Sequence, residues 1–166
     1  MKLGSNLPAV AVCDLVIHSR DNDIVVGTHG RSIWIASVNE LQQLNDSLMN
    51  KDVFVFKLKN QTYNSNWGSR EEAFLNDVRE DELQIPYWSK NKGMTTFEIK
   101  TDSGLVLKTK IDTAGKGLNY FSYNLDIDTN VIDKYVSYLN SVKEKDSDEI
   151  NSDKAKNEHF YLHAGT

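Results

Sequence analysis

The sequence predicts a mainly β protein built from short antiparallel strands, and two observations lead to that class. In residues 14–36, three short apolar runs are separated by two polar turns: Leu15–Ile17, Ile24–Val26 and Ile33–Ile35. In residues 94–125, apolar and polar residues alternate with a period of two, as in half-buried strands. The 166 residues are 39% hydrophobic and 26% charged, which is ordinary for a globular chain of one domain or two small ones.

The segment 14–36 has the pattern of a three-stranded antiparallel meander. Its first turn, Arg20–Asp23, contains Asn and Asp, which hydrogen-bond their own backbone and tolerate a left-handed conformation. Its second turn places Gly27 and Gly30 where positive φ or close chain approach is needed. A meander of this kind is the unit of a β-propeller blade, and one blade cannot bury both of its faces. Without neighbouring blades, we therefore expect it to pack on the sandwich predicted for the later part of this chain, to dimerise or to aggregate.

The run Gly-Thr-His-Gly-Arg-Ser-Ile-Trp at residues 27–34, with Asp-Asn-Asp at 21–23, resembles the closing blade of a known propeller family. That family is the bacterial BNR-repeat, sortilin-like (VPS10-type) proteins, often labelled glycosyl hydrolases. The resemblance implies that residues 1–50 are a terminal blade plus a short helix. It implies that residues 51–166 form a small immunoglobulin-like β-sandwich with a helical and acidic insertion near 128–158, truncated at its C-terminus.

The resemblance also implies a longer bacterial parent that is secreted, periplasmic or on the cell surface, with the preceding blades outside this chain. Residues 1–6 lack the apolar stretch of a signal peptide, so none is expected in this chain itself. The Asp-box of BNR repeats does not occur in the sequence.

After the meander, the pattern predicts a short helix over 38–44 and a strand over 53–56. Residues 57–93 show no regular period, except that Ser69–Leu75 has the pattern of an N-capped helix. Alternating strands follow over 94–100, 105–111 and 118–125, with turns at 102–104 and 113–117. Together these three strands predict a small immunoglobulin-like sandwich sheet.

Helical spacing of apolar residues predicts an amphipathic helix over 130–143. The polar run that continues to Glu158 has too little apolar surface to offset the entropy of ordering, so mobility is expected there. Helix and polar run together have the pattern of an insertion between two sandwich strands. The second of these strands begins near His159.

Charge and composition exclude several classes of function. The net charge of −5 argues against binding to a phosphate backbone, so no nucleic-acid partner is expected. No apolar run reaches the roughly 18 residues that a membrane span requires. The single cysteine, Cys13, excludes an internal disulfide, and we expect it to be a small buried hydrophobe.

Neither a cofactor nor a metal is predicted. Residues 126–130 match the start of a calcium loop, but Val131 stands where that loop requires glycine, so helix capping is the favoured role. His159 and His163 are two possible ligands without a third. Cys13 and His18 point to opposite faces of one extended segment, which is unsuited to a thiol nucleophile.

Four residues are candidates for ligand binding. His29 and Arg31 project from the second turn of the meander and are suited to a carboxylate or a sugar hydroxyl; the alternative is a purely structural turn. Trp67 and Trp88 lie in irregular sequence and are suited to stacking on sugar rings; the alternative is packing on the sandwich.

The sequence therefore predicts a structural and interaction module at the C-terminal end of a propeller protein, with polysaccharide or peptide as ligand. Its expected partners are the remaining blades or a second copy of the chain. The alternative is a fragment of a BNR-repeat glycoside hydrolase, whose catalytic residues lie mainly in other blades. Asp21 and Asp23 do not supply that chemistry, because two carboxylates that flank a sugar come from separate strands rather than from one turn.

Overall fold

The structure, a computed structural model, describes residues 9–58, 60–68, 82–143, 149–151 and 153–164. Strands hold 41% of these residues and helices 17%. Every paired strand is antiparallel and no described sheet closes on itself, which confirms the predicted mainly β class. The chain divides into two compact units, of which the first ends at Asn50 and the second begins at Lys51.

The first unit contains the predicted three-stranded meander. Its strands are β1 (Val12–His18), β2 (Asp23–Thr28) and β3 (Ile33–Ser37), with β2 between the other two. Positive φ angles occur in both turns, at Asn22 (54°) and at Gly30 (76°), as the turn residues predict. The prediction of a buried Cys13 is wrong: its side chain is exposed on the edge strand β1, at the point where the register with β2 shifts.

Two short helices complete the first unit. The helix α1 (Asn39–Gln43) confirms the predicted helix, and α2 (Asp46–Met49) follows it. The side chain of Asn45 caps α2 by accepting a hydrogen bond from the Leu48 backbone N–H at 2.9 Å. The small core of this unit is formed by buried and half-buried apolar residues on one side of the sheet: Ile24, Val26, Val38, Trp34 and Leu41.

Two larger sheets form most of the described part of the second unit, beside a third sheet of two short strands. One contains β4 (Val53–Val55), β5 (Leu83–Ser89) and β8 (Gly117–Tyr123), with β5 in the centre. The other is the hairpin of β6 (Gly93–Lys100) and β7 (Val106–Ala114). Aromatic rings join the sheets, because Phe97 of β6 stacks on Phe121 of β8 with centroids 4.1 Å apart and meets Tyr87 of β5 edge-on at 4.9 Å.

Two predictions for this unit are wrong. Residues 57–93 are not irregular throughout, because they contain β5, the central strand of its sheet. The three alternating strands do not form one sheet: β8 pairs with β5, whereas β6 and β7 pair with each other. The predicted helix over Ser69–Leu75 lies outside the described residues.

Pro86 explains why β5 escapes sequence patterns, since proline argues against a central strand. Its carbonyl accepts a hydrogen bond from the Phe56 N–H at 3.1 Å, just beyond the end of β4 at Val55. In an antiparallel pair the N–H and C=O of one residue point to the same side. A backbone N–H at position 86 would therefore point toward β4. Because β4 ends at Val55, the missing N–H of Pro86 interrupts no pair of that strand.

The predicted insertion leaves and rejoins the fold at one place. Two short strands, β9 (Asp126–Ile127) and β10 (Phe160–Tyr161), pair directly with each other. Between them lie a 3-10 turn at Thr129–Val131 and the helix α3 (Ile132–Val142), which confirms the predicted helix. The inner face of α3 buries Tyr135 and Leu139 in a second core cluster with Leu107 and Ile127. Residues 144–148 of the polar run lie outside the described residues.

Candidate functional site

The candidate site is a surface cavity of about 170 Å³ in the second unit. Three chain segments line it: the turn from Tyr63 to Trp67, Asn151 together with Asp153–Ala155, and the strand end from Tyr161 to His163. The first segment lies far from the other two in the sequence, so the cavity exists only in the folded unit.

Aromatic rings form one part of the cavity wall. Tyr63 meets Trp67 edge-on, with centroids 5.5 Å apart and ring planes at 80°. The ring of His163 lies 5.2 Å from that of Tyr63, and Tyr161 lies 6.4 Å from Trp67. Tyr63 is 40% exposed, so part of its ring remains available to a ligand.

Polar side chains line the remainder of the cavity. They are amides, a hydroxyl, one carboxylate and one ammonium group: Asn64, Asn151, Ser65, Asp153 and Lys154. The ammonium group of Lys154 lies 3.2 Å from the carboxylate of Glu158 and 5.9 Å from the centre of the Phe160 ring. The cavity therefore offers hydrogen-bond donors and acceptors beside aromatic surface.

Hydrogen bonds of backbone and side-chain groups connect the wall segments to one another and to neighbouring elements. The Asn157 N–H donates to the Gly68 carbonyl at 3.1 Å, and the Asn157 side-chain amide donates to the Tyr161 hydroxyl at 2.7 Å. The Leu162 N–H donates to the Leu125 carbonyl at 2.9 Å. The His163 N–H donates to the hydroxyl of Tyr135, on α3, at 2.8 Å. The cavity wall is thus attached to the sheet and to the inserted helix.

A charged cluster lies at the base of the third segment. The buried carboxylate of Asp126 pairs with the ammonium group of Lys108, and Nδ1 of His159 lies 3.3 Å from the same carboxylate oxygen. The Tyr123 hydroxyl donates to the Asp126 carbonyl at 2.8 Å. Burial raises the pKa of the Tyr123 phenol well above its ordinary value of 10.0, and the Asp126 charge raises that pKa further.

The structure places the four predicted ligand residues in three locations. His29 and Arg31 are exposed at the turn between β2 and β3, in the first unit. Trp67 is half-buried and lines the cavity. Trp88 is the next-to-last residue of β5, opposite Phe54 and Leu118 on the neighbouring strands. Its indole N–H is buried and has no hydrogen-bond partner among the described residues.

The segment that resembles a calcium loop and the two histidines near the C-terminus have identifiable neighbours in the structure. Asp126 pairs with a lysine, and Asp128 lies 3.9 Å from the same ammonium group. His159 faces this charged cluster, whereas His163 lines the cavity. Within the described ranges, no group of three His, Cys, Asp or Glu side chains is placed to hold a metal ion.

Sequence patterns did not predict that Tyr63, Tyr161 and His163 line one cavity. They also did not indicate the amide side chains beside these rings. One usable signal was present, since Tyr63 and Trp67 are both aromatic and four residues apart in a segment without regular period. No local pattern links that segment to residues 151–163.

No protein-family model, curated protein or solved structure matches this chain. Among the helices that the structure describes, none combines the length and the apolar character needed to cross a membrane.

Proposed function

We propose that this chain is a structural and interaction module from the C-terminal end of a secreted or cell-surface β-propeller protein. In this proposal the meander is the terminal blade and the second unit is an immunoglobulin-like sandwich. The observation that carries the proposal is that the meander has exposed apolar residues on both of its faces.

The pairing register assigns the side chains to the two faces. On one face, Leu15 lies opposite Val26 and Ile17 lies opposite Ile24. Leu15 and Ile17 are 54% and 51% exposed, although the centre of this face is buried.

The other face carries Val16, Val25 and Ile35 in one cross-strand row, with Ile33 beside them. Val16, Ile33 and Ile35 are 57%, 68% and 66% exposed. An antiparallel sheet with one solvated face alternates apolar and polar residues, whereas a sheet covered on both sides is apolar on both. A blade stacked between other blades is covered in that way.

The alternative function, glycoside hydrolysis, needs two carboxylates across a cleft. Among the described residues that line the cavity, Asp153 is the one carboxylate. The cavity therefore gives no support to that alternative.

Sedimentation velocity tests whether the apolar faces need a partner. We expect the 166-residue chain to self-associate as its concentration rises, because uncovered apolar patches of this kind drive association. The double variant Ile33→Thr/Ile35→Thr should remain monomeric over the same range. The matched control Ile111→Thr changes an isoleucine that is 61% exposed on β7 and should associate like the unmodified chain. A monomer at every concentration, without binding of an apolar dye, would contradict the proposal.

The reading frame that flanks this chain provides a second test. We expect it to encode repeated antiparallel meanders upstream of residue 1 and a secretion signal before them. A flanking sequence without meanders would contradict the propeller assignment, whatever the sedimentation result.

A further inference from the structure

We propose that the cavity in the second unit binds one neutral pyranose ring, such as the end or a branch of a polysaccharide. This inference goes beyond the proposed function, because it depends on the second unit alone and not on the blade. It follows from the ring surfaces, the polar groups, the charge balance and the size of the cavity.

The ring surfaces suit the apolar side of a sugar. One side of a pyranose presents C–H groups, which pack on an aromatic face, and amphipathic aromatic side chains offer such a face beside a polar handle. Tyr63 and Trp67 meet at 80°, so they form a corner with two ring surfaces rather than one flat platform. A corner restricts how a ring can enter.

The polar groups suit the hydroxyl side of a sugar. Each sugar hydroxyl both donates and accepts, and a side-chain amide does the same. Asn64 and Asn151 lie on different segments of the wall, and the Asp153 side chain adds two oxygens that can accept hydrogen bonds from hydroxyls.

The charges of the wall favour a neutral ligand. Asp153 and Lys154 carry opposite charges, and the ammonium group of Lys154 is already 3.2 Å from Glu158. A phosphate or sulfate would have to compete with that carboxylate, and a cationic ligand would meet Lys154. A ligand with hydroxyls and no charge avoids both costs.

The size favours a sugar over a peptide. Peptides bind mainly at strand edges, in helix grooves or in aromatic-lined grooves for polyproline helices, all of which are elongated. This cavity holds about 170 Å³ and is lined mainly by residues outside the strands and helices. It is smaller than the roughly 300–1,000 Å³ of a pocket for a drug-sized ligand. One ring with its substituents fits that volume.

Titration of the full 166-residue chain with methyl glycosides of glucose, mannose, galactose and N-acetylglucosamine tests the inference, with binding followed by protein-observed NMR. We expect at least one glycoside to bind with a Kd in about the millimolar range. Tyr63→Ala should weaken that binding about tenfold or more, and Asn151→Ala should weaken it without removing an aromatic contact.

The matched control is Tyr120→Ala, which removes a tyrosine that is 51% exposed on β8 and outside the cavity wall. It should leave the Kd within about twofold. If Tyr63→Ala fails to fold by circular dichroism, Asn151→Ala and Asp153→Asn provide the same comparison.

Three results would overturn the inference: no shift with any glycoside, equal affinity in the cavity variants and the control, or binding of neutral N-acetylated, C-amidated tripeptides in place of glycosides. None of these results bears on the sedimentation test, which concerns the meander. A failure of the sugar site and a failure of the proposed blade are therefore distinguishable.

Discussion

At the scale of single residues, Gly68 allows two segments of the cavity wall to pack closely. It is buried, has a φ of +65°, and accepts a hydrogen bond from Asn157. A Cβ at this position would overlap the ring of Tyr161 and the side chain of Asn157. Glycine is therefore favoured at this position for two reasons: the left-handed backbone conformation and the lack of space for a side chain.

The variant Gly68→Ala should lower the free energy of unfolding by about 2–5 kcal/mol, the sum of a left-handed backbone penalty and overpacking. Urea unfolding measures this. The control Gly104→Ala has a similar φ of +88° but open space around its Cβ, so it should cost only about 1–2 kcal/mol. Equal losses in the two variants would mean that steric overlap at Gly68 contributes nothing.

Tyr123 makes stability fall at alkaline pH. Its pKa is raised in the folded unit, so above about pH 10 the unfolded chain releases a phenol proton that the folded chain retains. The unfolded state then binds fewer protons, and the free energy of unfolding decreases by up to about 1.4 kcal/mol per pH unit for this group.

Tyr123→Phe should cost about 1 kcal/mol at pH 7, because the hydrogen bond to the Asp126 carbonyl is lost. Its loss of stability between pH 9 and 11 should be shallower than in the unmodified chain. Urea unfolding at several pH values gives both quantities. Parallel pH profiles for the two chains would contradict the assignment.

At the scale of elements, strands with strict alternation and marked turns could be predicted from the sequence. The hairpin of β6 and β7 follows from alternating residues on either side of Asp102-Ser103-Gly104, where Gly104 supplies the positive φ. β5 could not be predicted, because Pro86 argues against a central strand until the end of β4 is known. Strand partners were also beyond reach, because alternation shows which residues share a face but not which strand lies beside it.

Asn140 connects α3 to the chain that returns from it. Its side chain accepts from the Ile150 N–H at 3.0 Å and donates to the Ile150 and Val136 carbonyls. Asn140→Ala should cost about 1–3 kcal/mol, since two half-buried backbone groups lose their partner. Ser137→Ala removes one exposed hydrogen bond within α3 and should cost less than about 0.5 kcal/mol. Thermal unfolding of the two variants provides the comparison, and similar Tm values would show that this clamp does not contribute.

At the scale of the whole molecule, the candidate site was only partly predictable. The sequence pointed to Trp67 as a ligand-binding aromatic, and the cavity contains it. The other walls come from residues 151–163, which approach Trp67 only because β10 pairs with β9 and Asn157 bonds to Gly68. Such long-range closure leaves no local signature. Trp88 shows the converse, because an aromatic in apparently irregular sequence lies within a sheet.

The net charge of −5 should influence any association of the apolar sheet faces. Like charges repel two copies at low ionic strength, and raising the salt from about 0.1 to 1 M shortens the Debye length from about 10 to 3 Å. We therefore expect tighter self-association at high salt in sedimentation velocity. Weaker association at high salt would indicate that ion pairs, rather than apolar contact, hold the copies together.

The direct pairing of β9 with β10 makes the intervening stretch a natural place for protein engineering. Its two ends emerge side by side, so a change in the length of this stretch would not pull the sheets apart. Excising the whole stretch would differ, because Tyr135 supplies both core volume and the hydroxyl that holds His163. Length can thus vary beyond the helix, while the helix itself has to stay.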